Sequence, residues 1–120
     1  MSKISSRGEI WSATIGDPPS PHWVVVVSPD TRNHHSSISS ILIVPFSSRL
    51  RESPTTIVLD PEETGLPKRS CLRAHFIQPL AKSHLRQRLA QKLSDGRMEE
   101  LCLAIRRSFD PDAPYWKAAP

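Results

Sequence analysis

The stretch Pro21-His22-Trp23-Val24-Val25-Val26-Val27-Ser28-Pro29-Asp30 dictates the fold of this chain. Successive side chains of a strand point to opposite faces, so four valines in a row need apolar surroundings on both sides. A β-branched run this short, bounded by prolines, predicts a central strand buried on both faces. His22 stands at its front end, where a rigid element holds a polar group best.

Outward from this spine, Arg7–Ile15 predicts a preceding strand with Glu9, Trp11, Ala13 and Ile15 on one face and Ile10, Ser12 and Thr14 on the other. Gly16–Pro21 reads as a loop, because prolines remove amide donors and fix φ. Ser28–Asn33 carries turn chemistry, with Asp30 and Asn33 as structural residues, and His34–Ser37 reads as a polar, mobile segment. Ser39–Phe46 and Thr55–Leu59 predict two more strands, separated by a charged loop at 50–54. Ser70–Ile77 predicts a strand with Cys71, Arg73, His75 and Ile77 on one face, and Leu72, Ala74 and Phe76 filling the core from the other. Ala81–Leu93 is ambiguous: Leu85, Leu89 and Leu93 fit a helix by spacing, and 89–93 also fits a short strand after a helical turn.

Ser94–Phe109 is the clear helix, with Met98, Leu101, Cys102, Ile105 and Phe109 recurring at three and four. Ser94 is its N-cap, and Arg106 and Arg107 suit its negative end. Short strands followed by one terminal helix make a small, partly open β-barrel. The Pro/Ala-rich tail after Asp110-Pro111 reads as unanchored, with Tyr115-Trp116 as its candidate docking pair.

The chain has 120 residues, a size that predicts one domain. It has no apolar run of the roughly 18 residues a membrane helix needs. The N-terminal segment lacks the apolar core of a signal peptide, and Cys71 and Cys102 have no metal or redox spacing. Free thiols in the cytoplasm are therefore expected. The net charge of +4 is unevenly spread. Lys68, Arg69, Arg73, Lys82, Arg86, Arg88 and Lys92 follow one another with no acid between them. Such a segment suggests an anionic partner, phosphate of RNA or DNA being the commonest, with a solubilising face as the alternative.

Arg7-Gly8-Glu9-Ile10-Trp11, the apolar strand into Ser28-Pro29-Asp30 with Asn33, and Val44-Pro45-Phe46-Ser47-Ser48 together resemble the MazF/PemK family of toxins. Order and spacing continue through Gly65-Leu66, Arg73 and His75, Leu85 and the terminal helix, over residues 7–109. The resemblance implies a mainly β, SH3-like partly open barrel (MazF/PemK/CcdB-like) with a C-terminal α-helix. It also implies one domain over residues 1–109 and a flexible tail over 110–120. The implied activity is that of the toxin of a type II toxin–antitoxin pair: a cytoplasmic, homodimeric endoribonuclease that cuts single-stranded RNA or mRNA without metal or other cofactor. A cognate antitoxin would cover its active site, and the toxin–antitoxin complex would bind DNA.

Two positions depart from the family pattern. Where most members carry Arg-Pro before the apolar strand, with the arginine implicated in catalysis, this chain has His22-Trp23. Where related members have Arg-x-Asp, it has Arg73-Ala74-His75. The family threonine closing the later strand aligns with Ser47.

Cutting RNA through its own 2′-OH needs a base for that hydroxyl, an acid for the leaving oxygen, and donors for the phosphorane charge. Imidazole, with an unperturbed pKa of about 6.5, serves as either base or acid near neutrality. The expected catalytic set is therefore His75 and His22 as base and acid, in undetermined order, with Arg73 and Ser47 on the phosphate. Ser48, Arg49, Trp23 and Gln78 are expected RNA contacts. For each the ordinary alternatives are a capping or solvated residue, turn chemistry, or, for Trp11 and Trp23, a place in the core. His34-His35 lacks a third ligand at useful spacing for a metal. A non-catalytic nucleic-acid- or protein-binding barrel, and a gyrase-poison-like toxin, are the competing functions.

Overall fold

The structure is a computed structural model and describes residues 4–114. Its elements are β1 (Glu9–Ile15), β2 (Ser20–Val26), α1 (Asp30–Asn33), β3 (Ser40–Ser47), β4 (Thr56–Leu59), α2 (Pro61–Thr64), β5 (Ser70–Arg73), β6 (Gln78–Ala81), β7 (Leu85–Lys92) and α3 (Asp95–Phe109). Single 3-10 turns occupy Ala74–Phe76 and Lys82–His84. The strands form an antiparallel sheet in the order β4-β5-β3-β2-β1-β7, with β6 also paired to β3. The sheet does not close, and the mainly β, partly open architecture with a terminal helix is the expected one.

The valine run is the buried spine. Val24 and Val26 pack with Trp11, Ala13, Ile41, Ile43, Leu80 and Leu85 on one side of the sheet. Val25 and Val27 face the other side, where Ile10, Val44 and Leu72 meet Met98, Leu101 and Ala104 of α3. Burying each such side chain contributes about 1.5–3 kcal/mol. Ser94 caps α3, its Oγ accepting from the Arg97 N–H at 3.2 Å. The turn after the spine is equally local in origin. Asn33 is buried and donates to the Ser28 carbonyl at 2.8 Å, while Asp30 accepts from the Arg7 N–H at 2.8 Å.

Several local expectations are corrected. β2 begins at Ser20 and runs through Pro21, opposite Thr14, so the loop is only 16–19. Proline is tolerated there because the β2–β3 pairing covers only Val24–Val26. The strand expected over 70–77 ends at Arg73. The Ala74 N–H donates to the Thr55 carbonyl and the Ile77 N–H to the Ala74 carbonyl, which turns the chain before it pairs again as β6. Phe76, expected in the core, is 43% exposed as a result. Phe109 is 73% exposed and leaves the apolar stripe of α3 to Met98, Leu101 and Ala104.

The ambiguous stretch resolves as a 3-10 turn followed by β7. Bulges against β1 explain the misleading leucine spacing. Ala13 faces Leu85 and Trp11 faces Arg88, so β7 spends an extra residue there. An extra residue flips the face, and Leu85 and Leu89 consequently serve opposite cores.

The basic segment is not one uniform face. Lys82 is buried and donates to the carbonyls of His35 and Arg32 at 2.9 and 3.3 Å, tying down the segment expected to be mobile. Arg69 pairs with Asp60, and Arg88 pairs with Glu9. Beyond α3, Ala113 is buried, and the Pro114 carbonyl accepts from Arg107. Tyr115 and Trp116 lie outside the described residues.

Burial works against the Glu9 carboxylate, but hydrogen bonds from the Ser6 N–H, Arg88 and the Trp11 indole outweigh it and hold its pKa below the ordinary 4.5. A carboxyl harder to protonate folded than unfolded adds stability that is complete above the unfolded pKa and drains as pH falls through the folded one. Urea unfolding of wild type and Glu9→Gln should therefore show a gap at neutral pH that narrows as the solution is acidified below the ordinary carboxylate range. A gap independent of pH would show that the carboxylate charge contributes nothing.

Candidate active site

The front end of the spine opens on a cavity of about 390 Å³, lined by Ile15, His22, Pro45, Phe46, Ser47, Ser48, Arg73 and Gln78. Strand pairing explains the assembly. Val24 faces Pro45 in the last pair of the β2–β3 ladder, and beyond that pair His22 and Ser47 line the cavity together. On its other side β3 changes partner, from β6 over Ser40–Ile43 to β5 at Phe46–Ser47. The break between those partners is where Arg73 ends β5 and Gln78 begins β6. Residues far apart in the chain therefore converge at one end of β3.

Each polar group is held. The His22 Nε2 lies 2.9 Å from the Ser20 Oγ, two residues away on the same face of β2. The Ser47 Oγ accepts from the Arg49 N–H at 3.1 Å, so it both closes the strand and faces the cavity. Gln78 Nε2 donates to the Phe76 carbonyl at 3.1 Å, which leaves its side-chain oxygen as an acceptor. The Arg73 guanidinium lies over the Phe76 ring, 4.4 Å from its centroid. Its Nε is buried without a hydrogen-bond partner, and among the described residues it enters no ion pair. A buried guanidinium donor without an acceptor is costly, and an anion bound in the cavity would satisfy it. Among the described residues no carboxylate lines the cavity.

A second cavity of about 300 Å³ shares His22, Phe46, Ser47 and Ser48 with the first and continues past Trp23 to Lys68 and Arg69. Trp23 thus serves twice, packing against the core that holds Val25 while lining this cavity. Ser48 lines both cavities, whereas Arg49 is exposed and lines neither.

His75 is also outside them. Because the chain turns at Ala74–Phe76, Arg73 and His75 do not share a strand face. The His75 Nδ1 lies 2.9 Å from the Thr55 Oγ1, and its ring packs on Phe76 with centroids 4.8 Å apart. His34 lies 3.2 Å from the Ser6 Oγ, and the described residues contain no group of three or more His, Cys, Asp or Glu able to hold a metal ion. Ile15, Pro45, Phe46 and Phe76 were not legible as site residues. Apolar side chains carry no chemical signature, and only the strand order brings them together.

No helix among the described residues is long and apolar enough to cross a membrane. The model of the PemK-like, MazF-like toxin family of type II toxin–antitoxin systems matches residues 6–109. A curated relative from Mycobacterium tuberculosis (strain ATCC 25618 / H37Rv), named probable endoribonuclease MazF5, is 29% identical over 113 residues, covering 92% of this chain and 97% of the relative. Among solved structures, a mycobacterial endoribonuclease in complex with its cognate antitoxin superposes with a TM-score of 0.76 at 21% identity, over 92% of this chain and 99% of that one. An endoribonuclease from a mycobacterial species gives 0.77 at 19% identity, over 95% and 99%. At these identities the structural likeness establishes the fold.

Proposed function

The chain belongs to the family of PemK-like, MazF-like toxins of type II toxin–antitoxin systems, and from that premise we propose that it is an endoribonuclease acting on single-stranded RNA, including mRNA, in the cytoplasm. The observation that carries the reading is the cavity in which His22, Ser47 and Arg73 converge, with no acid in its lining and no ion pair to the guanidinium among the described residues. That combination suits a phosphodiester, which supplies the missing negative charge. The name of the M. tuberculosis relative points the same way.

In this mechanism the RNA 2′-oxygen forms a bond to the adjacent phosphorus as the bond from phosphorus to the 5′-oxygen breaks. One proton leaves the 2′-OH and another reaches the departing 5′-oxygen. His22 carries one of these transfers, with Nδ1 as the ring nitrogen facing substrate, since Nε2 is engaged by Ser20. Water carries the other. Arg73 takes two phosphate oxygens with its planar fork, and the Ser47 hydroxyl orients the same group. His75 and Phe76 form a ledge beside the cavity on which a base stacks. Ser48, Trp23 and Gln78 contact the flanking nucleotides, and Arg49 meets the backbone further out. No metal ion or other cofactor takes part. The protein acts as a homodimer and is silenced by a cognate antitoxin that covers the cavity.

Incubation of the purified protein with single-stranded RNA in EDTA should yield fragments ending in a 5′-OH and a cyclic phosphate. Activity abolished by EDTA and restored by a divalent metal would overturn the mechanism. RNA binding with a steep salt dependence and no fragments would instead favour the non-catalytic barrel.

A further inference from the structure

His22 is held from behind by two hydrogen bonds in series. Ile15 and Ser20 face one another as the terminal pair of the β1–β2 ladder, which fixes both where the strands meet the turn at 16–19. The Ser20 Oγ lies 3.5 Å from the Ile15 carbonyl oxygen and 2.9 Å from the His22 Nε2. A hydroxyl has one proton to give, and a carbonyl can only accept. With that proton on Ile15, the Ser20 oxygen accepts from Nε2–H and both contacts are satisfied. Donation to Nε2 would leave the hydroxyl oxygen and the Ile15 carbonyl facing one another with no proton between them. The bond that one ring nitrogen makes decides what the other presents, and a neutral ring protonated on Nε2 presents a bare Nδ1 lone pair.

The charges around His22 suit the same neutral state. A histidine that acts as an acid starts as a cation, a form that a neighbouring carboxylate stabilises. Among the described residues neither cavity lined by His22 supplies one. The charged side chains in their walls are Arg73, Lys68 and Arg69, the last paired with Asp60 at 2.9 Å.

We infer that His22 is the general base of the cleavage, and that Ser20 is a positioning residue that keeps the ring proton on Nε2. The inference rests on the proposed nuclease reading and assigns which of its two proton transfers His22 carries. The RNA 2′-OH gives its proton to Nδ1 as its oxygen bonds to phosphorus and the bond from phosphorus to the 5′-oxygen breaks. The Nε2–H of the resulting imidazolium still donates to Ser20. Water protonates the departing 5′-oxygen, and the hydroxide left behind takes the proton from Nδ1 and restores the base.

The test uses a single-stranded RNA that the full chain cuts, prepared with either oxygen or sulfur as the 5′ leaving atom. A thiolate departs without help from an acid, so losing an acid costs little on the sulfur substrate, whereas losing a base costs as much on both. His22→Ala should therefore lose about 10²–10⁴-fold on both. Recovery on the sulfur substrate would make His22 the acid and overturn the assignment. Ser20 is exposed, so Ser20→Ala should fold as wild type does. It should lose about 10- to 100-fold in kcat with KM unchanged, the factor for a hydrogen bond to a charged group, and Ser20→Thr should restore the rate. NMR of the ring nitrogens reads the tautomer without any RNA, with the His22 signals identified by their loss in His22→Ala. Neutral wild-type His22 should be protonated on Nε2, and Ser20→Ala should move part of that proton to Nδ1. A wild-type ring protonated on Nδ1, or a Ser20→Ala protein unchanged in ring and rate, would overturn the role of Ser20. If wild type cuts neither substrate, the nuclease reading and the base assignment fail together, and the ring nitrogens still decide whether Ser20 sets the tautomer.

Discussion

Replacing His22 with alanine should slow cleavage of single-stranded RNA by about 10²–10⁴-fold, the usual cost of removing a proton-transfer group. The size of the effect follows from its placement. His22 is carried on β2, whose later residues are the buried valines, and it lines one cavity with Ser47 and Arg73. Ser20 holds its Nε2 and so orients the ring. His22 is itself exposed and outside both cores, so the variant should unfold at the wild-type temperature. A loss of rate without a loss of stability separates chemistry from folding. Were the histidine only a surface residue before a strand, the substitution would change neither.

Arg73→Met should lower the rate by about 10²–10³-fold, the range seen when a preorganised donor to developing charge is removed. Arg73→Lys should fall in between, because an ammonium keeps the charge and loses the planar fork. Stability should move the other way. Among the described residues the Arg73 Nε is buried without an acceptor, and no carboxylate in the cavity offsets the charge of the guanidinium. Methionine removes that unsatisfied donor while preserving contact with the Phe76 ring, so the variant should melt no lower than wild type. Stability withheld at a position that gains activity is the usual signature of a functional site. A destabilised Arg73→Met protein that cleaves normally would instead make the residue a structural prop.

The spine and the catalytic cavity differ in how far they could be read from local pattern. Val24–Val27 was legible because its alternation leaves no other way to bury both faces. His22 was legible as a candidate because it stands at the front end of the spine, and Ser47, Arg73 and Gln78 because of the resemblance to the toxin family; the structure gathers all four in one cavity. The position of His75 was not legible. Cys71-Arg73-His75-Ile77 fits a strand by period, and only the distant Thr55 carbonyl, which accepts from Ala74, turns the chain instead. That turn takes His75 off the strand that carries Arg73 and leaves Phe76 exposed. Likewise the leucines of β7 obey a helical spacing that bulges against β1 convert into opposite faces. In both places non-local pairing overrides a local preference, and a window of sequence carries no record of the partner.

The most direct test of this account compares His22→Ala with His75→Ala on the same single-stranded RNA, in EDTA, at saturating protein. The account places His22 in the cavity and His75 on the ledge beside it, so His22→Ala should lose about 10²–10⁴-fold in single-turnover rate. His75→Ala should lose no more than about tenfold, as weaker RNA binding rather than slower chemistry. A His22→Ala protein that cuts at the wild-type rate, beside a silent His75→Ala, would contradict the account and move the chemistry to the turn at Ala74–Phe76.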